Sequence, residues 1–125
     1  MIARRLYRKD CSLYRGGYVK DLSRLGRRLR DIVIVDNAPM SYALQPRNAV
    51  PCTSFIDDKA DRELYDILRV LEQLASVHNV RRHTDAWQRE WRRRVRRNAK
   101  LQQQQQMLVQ RQQQQQQRRL LQEVK

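Results

Sequence analysis

Residues 18–39, YVKDLSRLGRRLRDIVIVDNAP, constrain the fold of this chain more than any other segment. They place Lys20 shortly after a Gly-Gly pair and end in an aliphatic run, residues 32–35, followed by Asp36 and Asn37. Four consecutive aliphatic residues are typical of a central strand in a parallel sheet, covered on both faces. Open α/β sheets bind ligands at the carboxyl ends of their strands, so Asp36 and Asn37 are predicted to lie at a ligand-binding edge.

The remaining patterns predict short elements around this strand. Apolar residues at spacings of three and four, from Leu64 to Leu74, predict an amphipathic helix over residues 61–74 that packs on the sheet. The predicted fold class is α/β: a partial parallel sheet with flanking helices and a helical, low-complexity tail. The other expected elements are β-like pieces at residues 2–8 and 12–20 with a turn at Gly16-Gly17, one or two helical turns at residues 21–30, and a short strand at residues 48–52.

Charge divides the chain into two predicted regions. Residues 1–82 carry 16 Lys/Arg against 10 Asp/Glu, whereas residues 83–125 carry 11 against 3. We therefore predict a folded domain over 1–82 and a basic, Gln-rich tail, helical or disordered, over 83–125. Excess positive charge favours nucleic acid or acidic protein as a partner of the tail. No segment has the length of apolar sequence that a membrane helix needs, and the chain is expected to be intracellular.

The tail begins with a stripe of apolar residues on a basic helix. Trp87, Trp91 and Val95 recur every four residues, and two glutamine runs follow at residues 102–106 and 112–117. We predict that the two tryptophans pack back on the domain; the alternative is that they anchor a partner helix or stack on nucleic acid. The glutamine runs contain too little apolar surface for a core of their own.

The cysteines, histidines and serines do not indicate a disulfide framework, a zinc site or a serine hydrolase. Cys11 and Cys52 are too few for a disulfide framework and are predicted to be free, small, buried or half-buried residues. His78 and His83 lack a third zinc ligand, which favours surface or capping roles. Ser12, Ser23, Ser41 and Ser54 lack the surroundings of a hydrolase nucleophile.

Several motifs in a fixed order resemble one enzyme family. The segments RLYRKDC, YVKDLSRLG, VIVDNAP, NAVP and DRELYDILRVLEQL, spread over about residues 3–80, are similar to the small C-terminal-domain phosphatases. These NLI-interacting-factor-like enzymes belong to the haloacid-dehalogenase superfamily. The resemblance implies a haloacid-dehalogenase-like domain and a protein serine/threonine phosphatase similar to those that act on the tail of RNA polymerase II.

The resemblance also implies roles for four residues. Lys20 would neutralise charge on the phosphoryl group, and Asn37 would bind Mg²⁺. Asp36 would hold a metal-bound water or the lysine, which gives it both a catalytic and a metal role. Arg8 would lie near the phosphate of the substrate, a phosphoprotein.

The sequence departs from the family pattern at the nucleophile. No Asp-x-Asp-x-Thr/Val motif occurs, so covalent catalysis has no starting residue and these 125 residues are expected to be inactive alone. The first hypothesis is therefore the C-terminal part of a Mg²⁺-dependent phosphatase that uses an aspartyl-phosphate. The alternatives are a non-catalytic module whose basic tail binds nucleic acid or acidic protein, and complementation by a second chain. A nuclear or cytoplasmic location is expected, or the nuclear envelope if an anchor precedes Met1.

Overall fold

The computed structural model describes residues 2–123, and for Glu123 it describes the backbone alone. The chain divides into two compact units between residues 91 and 92. Within residues 2–123, two strand pairs and two α-helices form the regular structure, together with short 3₁₀ turns. Strands β3 and β4 are parallel, and α1 follows β4, so the predicted α/β class is confirmed. The elements are β1 Ser12–Tyr14, β2 Gly17–Val19, β3 Ile34–Asp36, β4 Ala49–Pro51, α1 Glu63–Ala75 and α2 Asp85–Glu123.

Strands β1 and β2 form an antiparallel hairpin that carries Lys20 at its end. Arg15 and Gly16, the two residues between the strands, have φ angles of 48° and 78°. Two positive φ values are typical of the two-residue turns that match strand twist. The turn thus lies one residue earlier than predicted, and Gly17 is part of β2. A Cβ atom on Gly17 would lie 3.1 Å from Cγ of Met40, so glycine permits close packing there.

The predicted β-like piece at residues 2–8 is wrong. Residues 2–7 form no regular structure, and Arg8–Asp10 is a 3₁₀ turn. The Asp10 carboxylate accepts a hydrogen bond of 2.7 Å from the Tyr7 backbone N–H, while the Cys11 N–H donates to the Arg8 carbonyl at 3.1 Å. These local hydrogen bonds compete with strand formation, which explains the difference.

The parallel pair β3–β4 separates two hydrophobic clusters. Ile34 is in register with Ala49 and Val35 with Val50, and successive side chains of a strand point to opposite faces. Ala49 accordingly joins one cluster and Val50 the other. The first cluster contains Leu22, Ile32, Ile34, Tyr42 and Ala49; the second contains Val50, Ile67, Leu74, Val80 and Trp87.

The predicted coverage of the aliphatic run on both faces is only partly correct. The strand begins at Ile34, two residues later than the run, and Ile34 is buried. Val35 keeps 38% of its surface exposed. Strand β4, predicted over residues 48–52, spans Ala49–Pro51.

Helix α1 is present as predicted, but it buries less of its apolar face than expected. It spans Glu63–Ala75, and Ile67 and Leu74 are buried in the second cluster. Leu64 and Leu68 remain 70% and 53% exposed. Periodicity therefore predicted the helix correctly but did not predict which of its leucines find partners within residues 2–123.

The first turns of α2 belong to the first unit. Trp87 is buried, and its Nε1 donates a hydrogen bond of 2.9 Å to the Pro51 carbonyl. Trp91 packs against the second cluster, so the prediction that both tryptophans pack on the domain is confirmed. Val95, the third residue of the stripe, is exposed. Thr84 and Gln88 add hydrogen bonds to backbone carbonyls of residues 46–49.

The second unit, residues 92–125, contains the rest of α2. Every side chain that is described from residue 95 to 122 is exposed, including those of the two glutamine runs. This agrees with the expectation that the glutamine runs have no core of their own. Among residues 2–123, no helix is both long enough and apolar enough to cross a membrane.

Candidate functional site

Lys20 and Asp36 form an ion pair where β2 and β3 end. The Lys20 Nζ donates a hydrogen bond of 2.5 Å to Oδ2 of Asp36. The backbone N–H of Lys20 also donates to the Ser41 carbonyl at 2.8 Å, which holds the backbone of Lys20 in place. The Asp36 side chain is 6% exposed, whereas that of Lys20 is 54% exposed. The Asp36 carboxylate is thus buried and holds the lysine side chain, while the lysine ammonium remains accessible to solvent and to an anion.

Two opposing effects set the charge of Asp36. Burial raises the pKa of its carboxyl group, because a charged group loses hydration there. Hydrogen bonds from Lys20 and from the Ala38 N–H, the latter 2.8 Å from Oδ1, lower the pKa, as does the positive charge of Lys20. The net result is a pKa below the ordinary value, so Asp36 is ionised at neutral pH.

Asn37 follows Asp36 and faces the segment after β4. Its Nδ2 donates a hydrogen bond of 2.7 Å to Oγ of Ser54. The Cys52 N–H donates to the Asp36 carbonyl at 3.1 Å, which continues the parallel pairing by one residue. The two segments therefore leave the sheet side by side, as expected for the carboxyl ends of parallel strands.

A cavity of about 580 Å³ lies over this edge. Its walls combine the ion pair with hydroxyl, carboxylate and apolar groups. Burial raises the pKa of the Cys52 thiol in this wall, and the charges of Glu63, Asp36 and Asp61 add to the effect. The lining residues are Lys20, Val35, Asp36, Asn37, Cys52, Thr53, Ser54, Phe55, Asp61, Glu63, Leu64 and Tyr65.

Three of the four residues singled out from the sequence line this cavity, and Arg8 does not. The Arg8 guanidinium lies over the ring of Tyr18, 4.9 Å from its centroid. Within residues 2–123, no group of three or more His, Cys, Asp or Glu side chains is arranged to hold a metal ion. The structure thus brings together Lys20, Asp36 and Asn37.

Sequence reasoning missed the polar residues after β4. Thr53 donates two hydrogen bonds of 2.6 Å, from its N–H and its Oγ1, to Oε2 of Glu63. Ser54 contacts Asn37, although the two residues are 17 positions apart. The signal was available, because both Thr53 and Ser54 directly follow a predicted strand that would run parallel to the strand before Asp36.

The parallel sheet edge, with a buried carboxylate and an accessible lysine, is a candidate anion-binding site in an α/β protein. The chain belongs to the NLI interacting factor-like phosphatase family, whose model matches residues 1–81. The resemblance deduced from the motifs is thereby confirmed.

Curated proteins with similar sequences are also named as phosphatases. A probable C-terminal domain small phosphatase of Dictyostelium discoideum is 54% identical over 77 residues, 62% of this chain and 25% of the relative. The human carboxy-terminal domain RNA polymerase II polypeptide A small phosphatase 1 is 54% identical over 76 residues, 61% of this chain and 29% of the relative. Phosphatase Herzog of Drosophila melanogaster is 53% identical over 76 residues, 61% of this chain and 22% of the relative. The chain therefore spans about a quarter of the length of these relatives.

Proposed function

We propose that these residues supply the charge-stabilising part of a Mg²⁺-dependent protein serine/threonine phosphatase site that works through an aspartyl-phosphate. The observation that carries the proposal is the Lys20–Asp36 ion pair beside Asn37, at the carboxyl edge of a parallel strand pair. Phosphoryl transfer depends mainly on positioning and on stabilising charge, and a fixed cation supplies both.

Lys20 is the residue that binds the phosphoryl oxygens. An ammonium group has three N–H donors, and Asp36 accepts from one of them. The remaining donors of a half-exposed side chain are available to a phosphate ester in the cavity. Asp36, being ionised, keeps the ammonium in place through the ion pair.

Within residues 2–123 no cluster of carboxylates is arranged to hold a metal ion, so Asn37 is the proposed direct ligand and further protein ligands would come from outside these residues. Mg²⁺ takes hard oxygen ligands and keeps several waters, and Asn37 offers one amide oxygen. Both oxygens of Asp36 accept hydrogen bonds, from Lys20 and Ala38, which suits an aspartate that holds the lysine or a metal-bound water. When bound, the ion would neutralise charge on the phosphate.

The nucleophile is absent from these 125 residues. Neither the Asp57-Asp58 pair nor Asp61 stands in an Asp-x-Asp-x-Thr/Val motif. Hydrolysis therefore requires an aspartate from outside these 125 residues, either from preceding residues or from a second chain. The chain alone is expected to release no phosphate.

The proposed substrate class is phosphoserine or phosphothreonine in a protein. The name of the human relative refers to polypeptide A of RNA polymerase II, and a phosphoprotein substrate of this class is proposed for this chain. Arg8 remains a candidate contact for the substrate through its position over Tyr18, at the strand that leads to Lys20. A nuclear or cytoplasmic location and the domain division at residues 82/83 stay predictions.

The test is a chimera in which the corresponding N-terminal part of the human relative precedes this chain. Release of phosphate from a phosphoserine peptide is measured with Mg²⁺. We expect the chimera to be active, the chain alone to be inactive, and Lys20→Ala to lower kcat by about 10²-fold or more, since a preorganised donor is removed. Arg27→Ala, which changes an exposed cationic residue outside the cavity, is the matched control. Equal activity of the Lys20 and Arg27 variants would contradict the proposal.

A second candidate function is polyanion binding by the second unit. Residues 92–122 carry nine Lys/Arg and no Asp/Glu, and Arg93 and Arg96 are exposed on one continuous helix. Such binding would weaken steeply with salt and would disappear on neutralisation of the arginines at 92, 93, 94, 96 and 97. Binding of a DNA or RNA oligonucleotide that is insensitive to salt, or that survives these changes, would reject it.

A further inference from the structure

Positive charge is concentrated in a short part of α2, residues 92–100, which we call the basic segment. It contains six Lys/Arg, whereas residues 101–117 contain one, Arg111. All of the basic segment belongs to one continuous helix and to the second unit. At a rise of about 1.5 Å per residue, its six cations lie within about 13 Å along the helix axis. Residues 91–122 include neither Asp nor Glu, so this stretch has no carboxylate of its own.

The cations of the basic segment are distributed around the helix. Successive residues of an α-helix are about 100° apart around its axis. Arg92 and Arg94 therefore mark the two ends of an arc of about 200°, and the other four cations lie between them. The remaining arc carries Val95, Asn98 and Ala99. Arg94 is half-buried, and the other five cationic side chains are exposed.

Neighbouring cations on this helix repel one another. Arg93 and Arg97 are four residues apart, as are Arg96 and Lys100, and side chains at this spacing are neighbours on a helix. Like charges at this spacing destabilise a helix. A partner with closely spaced negative charges would relieve the repulsion.

We propose that the basic segment binds in the major groove of duplex DNA, with arginines contacting phosphates on both walls of the groove. This inference rests on the second candidate function, polyanion binding, and identifies the polyanion. The major groove of B-DNA is about 12 Å wide and admits an α-helix, which then has a phosphate backbone on each side. A helix with cations over an arc of about 200° can contact both backbones at once. The planar guanidinium group of arginine also matches the oxygens of a phosphate.

Other polyanions fit the basic segment less well. An anionic membrane binds a helix from one side and takes up an apolar face, but the arc opposite the cations offers just Val95 and Ala99 as apolar residues. An acidic protein helix would likewise cover one stripe of the segment. The major groove of duplex RNA is too deep and narrow for side chains to read. Single strands are held by stacking on aromatic rings, and residues 92–122 include no aromatic residue.

The first experiment compares polyanions as ligands of the full 125-residue chain. Fluorescence anisotropy measures binding to a labelled DNA duplex, to an RNA duplex of the same length and to one strand of the DNA duplex. We expect the DNA duplex to bind about tenfold more tightly than either of the others. Methyl green, which occupies the major groove, should displace the chain, whereas netropsin, which occupies the minor groove, should not. Equal affinity for the two duplexes, or displacement by netropsin alone, would overturn the assignment to the major groove.

Competitors represent the membrane and the acidic protein. Phosphatidylserine vesicles and polyglutamate are added to the complex with the DNA duplex at the same concentration of negative charge as the DNA. Neither is expected to displace the chain from the duplex. Complete displacement by either competitor would show that the basic segment prefers a membrane surface or an acidic polypeptide, and would reject the inference.

Two double variants test whether both sides of the helix contact phosphate. Arg92→Gln with Arg96→Gln removes cations from one end of the arc, and Arg94→Gln with Arg97→Gln removes them from the other end. Glutamine has a helix propensity close to that of arginine, and circular dichroism confirms that the variants stay helical. Each pair should reduce the slope of the logarithm of the binding constant against the logarithm of the salt concentration by about 1.8, because each lost phosphate contact contributes about 0.9.

The matched control, Arg4→Gln with Arg5→Gln, removes two exposed arginines outside α2 and should leave the slope nearly unchanged. If one pair alone lowers the slope, or if neither pair differs from the control, binding on both walls is rejected while polyanion binding by the second unit stands. If the chain binds none of the three nucleic acids at low salt, the second candidate function is rejected, and this inference with it.

Discussion

The indole Nε1 of Trp87 donates a hydrogen bond of 2.9 Å to the carbonyl oxygen of Pro51, the residue in register with Asp36. The same indole ring is buried in the second hydrophobic cluster. The first turns of α2 therefore support the strand that lies beside the candidate site.

Trp87 is expected to contribute strongly to the stability of the first unit. Trp87→Ala removes a buried aromatic ring and should lower the free energy of unfolding by about 3–5 kcal/mol. Trp87→Phe keeps most of the ring but loses the hydrogen bond to Pro51, for a smaller loss of about 1 kcal/mol. Urea unfolding measures both, and Leu101→Ala, at a side chain 55% exposed, is the control. Similar losses at positions 87 and 101 would disprove the role of Trp87.

Acid should weaken the contribution of Asp36 to stability. Its folded-state pKa lies below the ordinary value of 3.8, so the ionised form stabilises the fold above that pH. The contribution is lost as the pH falls through the lower, folded-state pKa. At pH 7 the free energy of unfolding of the wild type should exceed that of Asp36→Asn by about 1 kcal/mol. The difference is modest because Lys20 is half-exposed. Urea midpoints from pH 7 to pH 2 should converge, and a gap that widens toward low pH would contradict the assignment.

Asn48 is predicted to be intolerant of a negative charge. Its side chain is fully buried, and Nδ2 donates to the carbonyls of Leu29 and Ile32 at 2.5 and 2.8 Å. Asn48→Asp replaces this donor with an oxygen and leaves two carbonyls facing a carboxylate, at a cost of about 3 kcal/mol or more. The same change at the exposed Asn98 is the control in thermal or urea unfolding. A stable Asn48→Asp protein would refute the prediction.

Exposed apolar residues predict self-association. Phe55, Ile56, Leu64 and Leu68 are 68%, 82%, 70% and 53% exposed, a large share for side chains of this kind. The sheet β3–β4 has only two strands within residues 2–123, so both strands also have unpaired edges. Sedimentation velocity should show association that increases with concentration.

The association should decrease in a double variant, Ile56→Lys with Leu68→Lys. The matched control places lysines at two exposed leucines outside the cavity, Leu13 and Leu25, which are 75% and 42% exposed. A wild type that stays monomeric at all concentrations would show that these apolar residues have no such effect.

Local patterns predicted the elements that depend on local physics. The aliphatic run before Asp36 predicted β3, and apolar periodicity predicted α1 to within about two residues. Residues 2–8 show the limit of this reasoning, because the hydrogen bond between Tyr7 and Asp10 favours a 3₁₀ turn that no apolar pattern indicates. Exposure of Leu64 was likewise not predictable, since periodicity reports a face of the helix and not what covers it.

The sequence predicted part of the candidate site. The aliphatic run placed Asp36 and Asn37 at a ligand-binding sheet edge. The resemblance gave roles to Lys20, Asp36 and Asn37, and the structure places all three in one cavity. The contact between Asn37 and Ser54 depends on the parallel register of β3 and β4, which brings together residues far apart in sequence. No spacing within either segment contains that information.

The family match and the first compact unit end at different residues, on either side of the start of α2. The family match ends at residue 81, yet hydrogen bonds from Thr84, Trp87 and Gln88 satisfy carbonyls of Arg47, Pro51 and Ala49. A chain cut at residue 81 would keep every family motif while uncovering those carbonyls and part of the second cluster. The family-model match therefore ends about ten residues before the first compact unit does, and deletion mapping of this protein should start from Trp91.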